Sequence, residues 1–265
     1  MEMSLDQRLQ IDVELSYRLR EPCPLLLQIE PANTHGQKVL ISNLNFRLGR
    51  KMSRVAAEDE IGHRTWVFVD QMFEIGCRFD VVIIRKAPVW EALSQTPLND
   101  LPAPVVKYLL ASRYCPLQDI DELITDLGAD GPVGEFIQAA SNWVRYALTY
   151  RPGSSDGNTT SQDAMRNRCG VCRDYAHVMI ALCRAAMIPA RYVSLYSPDV
   201  APMDFHAAVQ VYLDQQWHFI DPTGMASPER SAIIGVGRDA NDVAFLTSFA
   251  EAEFIHQLVG VEVHP

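Results

Sequence analysis

From Leu9 to Leu19 apolar and polar residues alternate without exception: Leu9, Ile11, Val13, Leu15, Tyr17 and Leu19 against Gln10, Asp12, Glu14, Ser16 and Arg18. Successive side chains of a strand point to opposite faces, so a strict period of two commits this segment to a strand with one buried and one wet face. A strand of that kind needs a partner sheet. Further strand-like runs follow at "PLLLQIE" (24–30), "KVLISNLNFRL" (38–48), "HRTWVFVD" (63–70) and "FDVVIIR" (79–85), with Gly, Pro, Asn and charged turns between them and no convincing helical stretch. Residues 1–86 are therefore expected to form an N-terminal antiparallel β-sandwich domain.

The pattern then changes. "KAPVWEALSQTPLNDLPAPVVKYL" (86–109) carries four prolines and no strand period, which suits a crossing between domains, with the linker itself set at 87–96. "VVKYLLAS" (105–112) and "GEFIQAASNWVRYALTY" (134–150) read as helical, the second with Phe136, Ala140, Trp143 and Ala147 near one face. A short helix is expected from Thr160, which can cap with Asp163, to a stop by Gly170. The next starts near Cys172 and is apolar on nearly every side from Ala176 to Met187, as a central buried helix would be, until Ile188-Pro189 ends it. "ARYVSLY", "HAAVQVYL" and "WHFID" then alternate as strands. Residues 97–265 are thus expected to form an α+β domain, a central helix packed on an antiparallel sheet.

With 23 Lys+Arg against 33 Asp+Glu, the formal net charge of -10 argues against a general binder of phosphate backbones, and no nucleic-acid partner is expected. The opening "MEMSLDQRLQIDVELSYRL" lacks a basic region followed by an apolar one, and no uncharged apolar run approaches a membrane span. The expectation is a cytoplasmic chain without a membrane partner. The six cysteines are scattered, unlike a secreted disulfide framework, so most are expected to be buried free thiols.

Cys169-x-x-Cys172 raises three readings: half a metal site, a redox pair, or one nucleophile beside a bystander. A structural zinc site wants four ligands and no second close Cys/His pair is present, while a thioredoxin-like role wants a preceding βαβ strand that this region lacks. Cys172 falls in the first turn of the expected helix, where unpaired N–H groups and the positive end of the helix dipole favour a thiolate. A nucleophilic thiolate also needs a base and a group to orient that base. His206 opens one strand and Asp221 closes the next, fifteen residues on. A connecting turn with an even number of residues puts their side chains on one face of the pair, and an unbulged odd turn puts them on opposite faces.

"GVCRDYAH" (170–177), "HAAVQVYLDQQWHFIDPTG" (206–224) and "GVGRDANDV" (235–243) together resemble the motifs of the bacterial transglutaminase-like family, whose core resembles papain-like cysteine proteases. The resemblance covers roughly 97–265, and a β-domain like the expected N-terminal one often precedes that core. It implies Cys172 as nucleophile, His206 as base and Asp221 as the group that orients the base. It also implies acyl transfer through a thioester, with no cofactor or metal and with a peptide or protein as substrate. Arg173 stands where animal transglutaminases carry Trp after the nucleophile, and Ala208 where many relatives have Trp in H-A-W. Losing those aromatics favours water over an amine as acceptor, hence a peptidase or amidase. The alternatives are a protein-glutamine transglutaminase or deamidase, and a non-catalytic peptide-binding module.

The backbone N–H of Cys172 is one natural oxyanion donor, and no second donor stands out in the sequence. His177, inside the apolar helix, is expected to be a packed, hydrogen-bonded histidine. Arg173 and Asp174 are expected to cap or pair in the first turn, Arg238 to pair with an acidic residue of "GRDANDV", and His218 to point away from Asp221.

Overall fold

The computed structural model describes residues 7–264; Met1–Asp6, part of the stretch read for a leader segment, lie outside it. The N-terminal strands are β1 (Gln7–Leu19), β2 (Cys23–Leu27), β3 (Gln37–Leu48), β4 (Arg50–Ala56), β5 (His63–Val69) and β6 (Met72–Ile83). As the period of two requires, Leu9, Ile11, Val13 and Leu15 are buried while the residues between them stay partly wet. They close a core with Phe73, Phe79 and Val81 of the neighbouring strand β6 and with Leu25, Leu27 and Val67 from the facing sheet.

The second half runs α1 (Ala103–Val106), α2 (Asp121–Asp126), α3 (Val133–Ala147), β7 (Thr149–Tyr150), α4 (Ser161–Asn167), β8 (Cys169–Gly170), α5 (Cys172–Ala185), β9 (Ala190–Tyr196), β10 (His206–Leu213), β11 (Gln216–Ile220) and β12 (Ala232–Gly237), followed by β13 (Leu246–Ser248) and β14 (Ala252–His264). The fold is α+β. Strands β9 to β12 form an antiparallel sheet ordered β11-β10-β9-β12. Helix α5 packs on it, with Val178, Met179, Ile180, Ala181 and Leu182 fully buried against the sheet and α3. The Thr160–Asp163 capping box forms as expected, and the chain leaves α4 through Arg168 in the left-handed region (φ 51°). The stretch expected as a helix from Val105 is only one α turn that tightens into a 3₁₀ turn over 107–109. There Tyr108 is buried, its hydroxyl donating to Asp59 and its ring edge-on to Trp217, so tertiary contacts override the local helical pattern.

The end of the chain departs from the expected boundary. The sandwich sheets are ordered β14-β1-β6-β3 and β13-β2-β5-β4, so residues 246–264, assigned by sequence to the second domain, complete both sheets of the first. β14 pairs with β1 from Arg8↔His264 to Leu19↔Ala252. It is an edge strand that buries Val259 and Val261 but leaves Phe254, Ile255 and Leu258 exposed, so its sequence carries little of the alternation that marked β1.

The two regions are tied by polar contacts. Asp59, in the left-handed region (φ 54°), accepts from Lys107 Nζ (2.7 Å), Tyr108 Oη (2.6 Å) and Arg191 (3.1 Å). The Arg191 guanidinium lies over Trp217 (4.0 Å) and also donates to Gln210 Oε1 (2.9 Å). Among the described residues, no helix is long and apolar enough to cross a membrane, and no group of three or more His, Cys, Asp or Glu side chains is placed to hold a metal ion.

Candidate active site

Cys172 is the first residue of α5, following Val171 at the N-cap. Asp174, fully buried, accepts from the Val171 backbone N–H (2.8 Å), and Arg173 pairs with Asp174 (3.3 Å) while donating to the Asp156 carbonyl, so this turn is capped by its own side chains. Gly170 makes room for that cap: a Cβ there would lie 2.6 Å from the Asp174 Cβ.

The geometric condition set by the sequence is met. β10 and β11 pair with Leu213 opposite Gln216, leaving Asp214 and Gln215 as a two-residue turn with both φ positive (45° and 61°). That even-length turn puts His206 and Asp221 on one face, and His206 Nε2 donates to Asp221 Oδ2 at 2.9 Å. Both side chains are about 1% exposed. Asp221 is held in turn by the residues that follow it. Its Oδ1 accepts from Thr223 N (2.9 Å) and Oγ1 (2.8 Å), and its Oδ2 from Met225 N (3.1 Å) and Ala226 N (2.8 Å). Gly224 (φ 69°) allows this tight turn, and a Cβ there would meet the Arg145 guanidinium at 2.5 Å.

The second ring nitrogen of His206, Nδ1, is buried without a formed hydrogen bond. The Thr223 hydroxyl lies 3.5 Å from Nε2, and the Cys172 sulfur is also near enough to influence the ring. A thiol and base in a substrate-free site are commonly looser than in the working complex. Burial by itself would favour the neutral imidazole, but the hydrogen bond to Asp221 and the neighbouring Cys172 sulfur outweigh it, holding the ring's pKa up at about 10. The structure thus brings all three sequence-predicted residues, Cys172, His206 and Asp221, to one place.

Cys172 and His206 open onto a cleft of about 640 Å³. Its walls include Ser194, Phe205 and Tyr192 from the sheet side, Leu26, Glu58 and Arg64 from the β-domain, and Asn241–Thr247 from the chain's return toward β13. Phe205 and Phe245 stack across it (4.5 Å between centroids, 8° between planes). The contributions of Leu26, Glu58, Arg64 and residues 244–247 escaped the sequence reading, because contacts between residues distant in sequence carry no local signal.

The charged side chains of "GRDANDV" hold this cleft-lining segment in place. Arg238 donates to Asp242 (2.9 and 3.2 Å), and Asp239 accepts the backbone N–H groups of Tyr114 (3.0 Å) and Asn241 (2.9 Å). His177, stacked between Tyr114 and Tyr192, accepts the Ala240 N–H at 3.2 Å, and burial holds its pKa well below the ordinary histidine value. It pins the cleft-lining loop and touches none of the three residues' hydrogen bonds. His218 turns away from Asp221 to bond the Leu213 carbonyl (3.1 Å). Thr223, whose hydroxyl and N–H both serve Asp221, was legible in the D-P-T motif, although its role was not.

Residues 121–222 match the sequence profile of the transglutaminase-like superfamily. A crystal structure described as a candidate cysteine protease from Cytophaga hutchinsonii superposes with a TM-score of 0.90 at 25% identity, covering 97% of this chain and 91% of that one. An uncharacterized protein of Mycobacterium leprae is 29% identical over 196 residues, 71% of this chain, and the chain spans 61% of its length. A protein-glutamine gamma-glutamyltransferase of Pseudomonas aeruginosa is 32% identical over 100 residues, 34% of this chain and 15% of that protein. Helix α5 and strands β10 and β11, with Cys172, His206 and Asp221, all lie within residues 121–222, the stretch that matches the transglutaminase-like superfamily.

Proposed function

We propose that the protein is a thiol acyl-transfer enzyme that hydrolyses a peptide or carboxamide bond. Cys172 attacks the carbonyl carbon, His206 takes the thiol proton and later gives it to the leaving amine, and Asp221 holds the ring and stabilises its imidazolium. A thioester on Cys172 then passes to water. The observation that carries this reading is the buried His206–Asp221 hydrogen bond at 2.9 Å, which uses Nε2 and leaves Nδ1 for the sulfur. A histidine buried only for packing would have no need of a carboxylate that itself collects four further hydrogen bonds.

A second reading, transfer of the acyl group to an amine, is favoured by the resemblance over 100 residues to the Pseudomonas aeruginosa gamma-glutamyltransferase. Arg173 beside the nucleophile and Ala208 in the base motif favour water. The test is alkylation with iodoacetamide across pH, the modified cysteine being located by mass spectrometry in the wild type and in His206→Ala. Preferential modification of Cys172, at least tenfold faster in the wild type near neutral pH, supports the thiol–imidazole reading. Equal, slow rates in both proteins refute it and leave a peptide-binding module. Turnover of peptide substrates with and without a labelled primary amine then separates hydrolysis from transfer.

A further inference from the structure

Developing negative charge on a carbonyl oxygen calls for two donors, and Cys172 N–H supplies one. The strand immediately beside the nucleophile carries the other candidate group. β7 runs parallel to β8 with Tyr150 paired to Gly170, fixed by Thr149 N–H to the Arg168 carbonyl (2.9 Å) and Arg151 N–H to the Gly170 carbonyl (2.9 Å). The Tyr150 ring tilts against Tyr175 (5.8 Å, 50°), and Tyr175 is locked by its own hydroxyl donating to the Leu148 carbonyl (2.7 Å). Tyr175 lies three residues after Cys172 on α5, so the two share a helix face, and a ring packed on Tyr175 lies alongside the nucleophile.

The pairing of Tyr150 with Gly170 and the packing of its ring on Tyr175 bring the phenol to the first turn of α5, where Cys172 is the neighbouring group that acts on it. Burial first, and the Cys172 sulfur second, raise the phenol's pKa above the ordinary tyrosine value, so it keeps its proton and remains a donor through the working pH range. Tyr150 as a whole is 37% exposed.

We propose that Tyr150 is a catalytic residue, its hydroxyl being the second oxyanion donor. This rests on the acyl-transfer reading above. When the sulfur–carbon bond forms, the carbonyl π pair moves to oxygen, and the Tyr150 O–H and the Cys172 N–H both donate to that oxygen. When the pair returns, the bond to the leaving group breaks and the thioester remains. The thiol proton rests on His206 throughout addition, and the phenol proton never leaves Tyr150.

The test compares two reactions of the same sulfur in the wild type and in Tyr150→Phe. Alkylation by iodoacetamide displaces iodide and builds no oxyanion, whereas acylation by p-nitrophenyl acetate passes through one. The ratio of acylation to alkylation rates at Cys172 is expected to fall about 100-fold in Tyr150→Phe, with alkylation itself changing by less than about threefold because thiolate fraction and nucleophilicity shift in opposite directions. Alkylation that retains its dependence on His206 shows that the variant site is folded. A ratio unchanged in Tyr150→Phe overturns the proposal while leaving the acyl-transfer reading intact. A wild-type protein that is never acylated at Cys172 sinks the acyl-transfer reading first, and this proposal with it.

Discussion

His206 and Asp221 meet diagonally across a hairpin, Nε2 to Oδ2 at 2.9 Å, because a two-residue turn keeps their side chains on one face. In Asp221→Asn an amide replaces an oxygen that faces His206 and several backbone N–H groups, so the ring loses its orientation. The rate of Cys172 acylation by p-nitrophenyl acetate is expected to fall about 10²- to 10⁴-fold, as when other base-orienting carboxylates are neutralised. A rate within threefold of wild type would remove Asp221 from the mechanism.

The raised His206 pKa has a thermodynamic consequence. The folded value, about 10, lies above the unfolded value, so the stabilisation is fully present below about pH 6.5 and is lost as pH rises through about 10. The thermal midpoint of the wild type should therefore exceed that of His206→Gln most at pH 6, and the gap should close between pH 7 and 10. A gap that is constant or widens with pH contradicts the charged pairing.

At Gly170 the adverse contact is with the helix cap. Gly170→Ala places a methyl group 2.6 Å from the Asp174 Cβ, so α5 must shift or Asp174 must release the Val171 N–H. Urea unfolding should show a loss of about 1–3 kcal/mol, and Cys172 alkylation should slow because the thiol moves with the first turn. Unchanged stability would mean that the cap has slack.

Asp59 and Arg191 join the β-domain to the sheet of the core. Asp59→Ala strands a guanidinium that is 5% exposed, leaving it only Gln210, and removes a residue suited to its left-handed backbone. A loss of about 3 kcal/mol is expected, with a smaller loss in Asp59→Asn, which keeps the shape and one acceptor. Burial raises the Asp59 pKa, but the Lys107 and Tyr108 hydrogen bonds outweigh it and the net shift is down, so the wild-type advantage over Asp59→Asn should fade as pH drops below about 4. Equal stability of all three proteins would show that the contact is incidental.

Local pattern made much of this molecule legible. The period of two in β1, the Thr160–Asp163 cap and the apolar girth of α5 each reflect forces acting within a few residues, and each appears as expected. His206 and Asp221 were readable for the same reason, since one short turn sets their geometry. What stayed hidden depends on distant partners. β14 looks unremarkable because half its apolar residues face outward, α2 is too short to declare itself, and Tyr150 reaches Cys172 only through a two-residue parallel pairing. Tyr108 shows the opposite case, a good helical neighbour drawn into a 3₁₀ turn by Asp59 and Trp217.

The pairing of β1 with β14 also imposes an order in time. β1 finds β6 early in synthesis, but its other edge waits for residues 252–264, which leave the ribosome only after Cys172, His206 and Asp221 have all been made. Gln257 of that last strand donates to Asp204, two residues before His206. The nascent chain thus carries its thiol and imidazole for some time beside an open sheet edge, and the cleft acquires the wall built by residues 241–247 only after all three have been made.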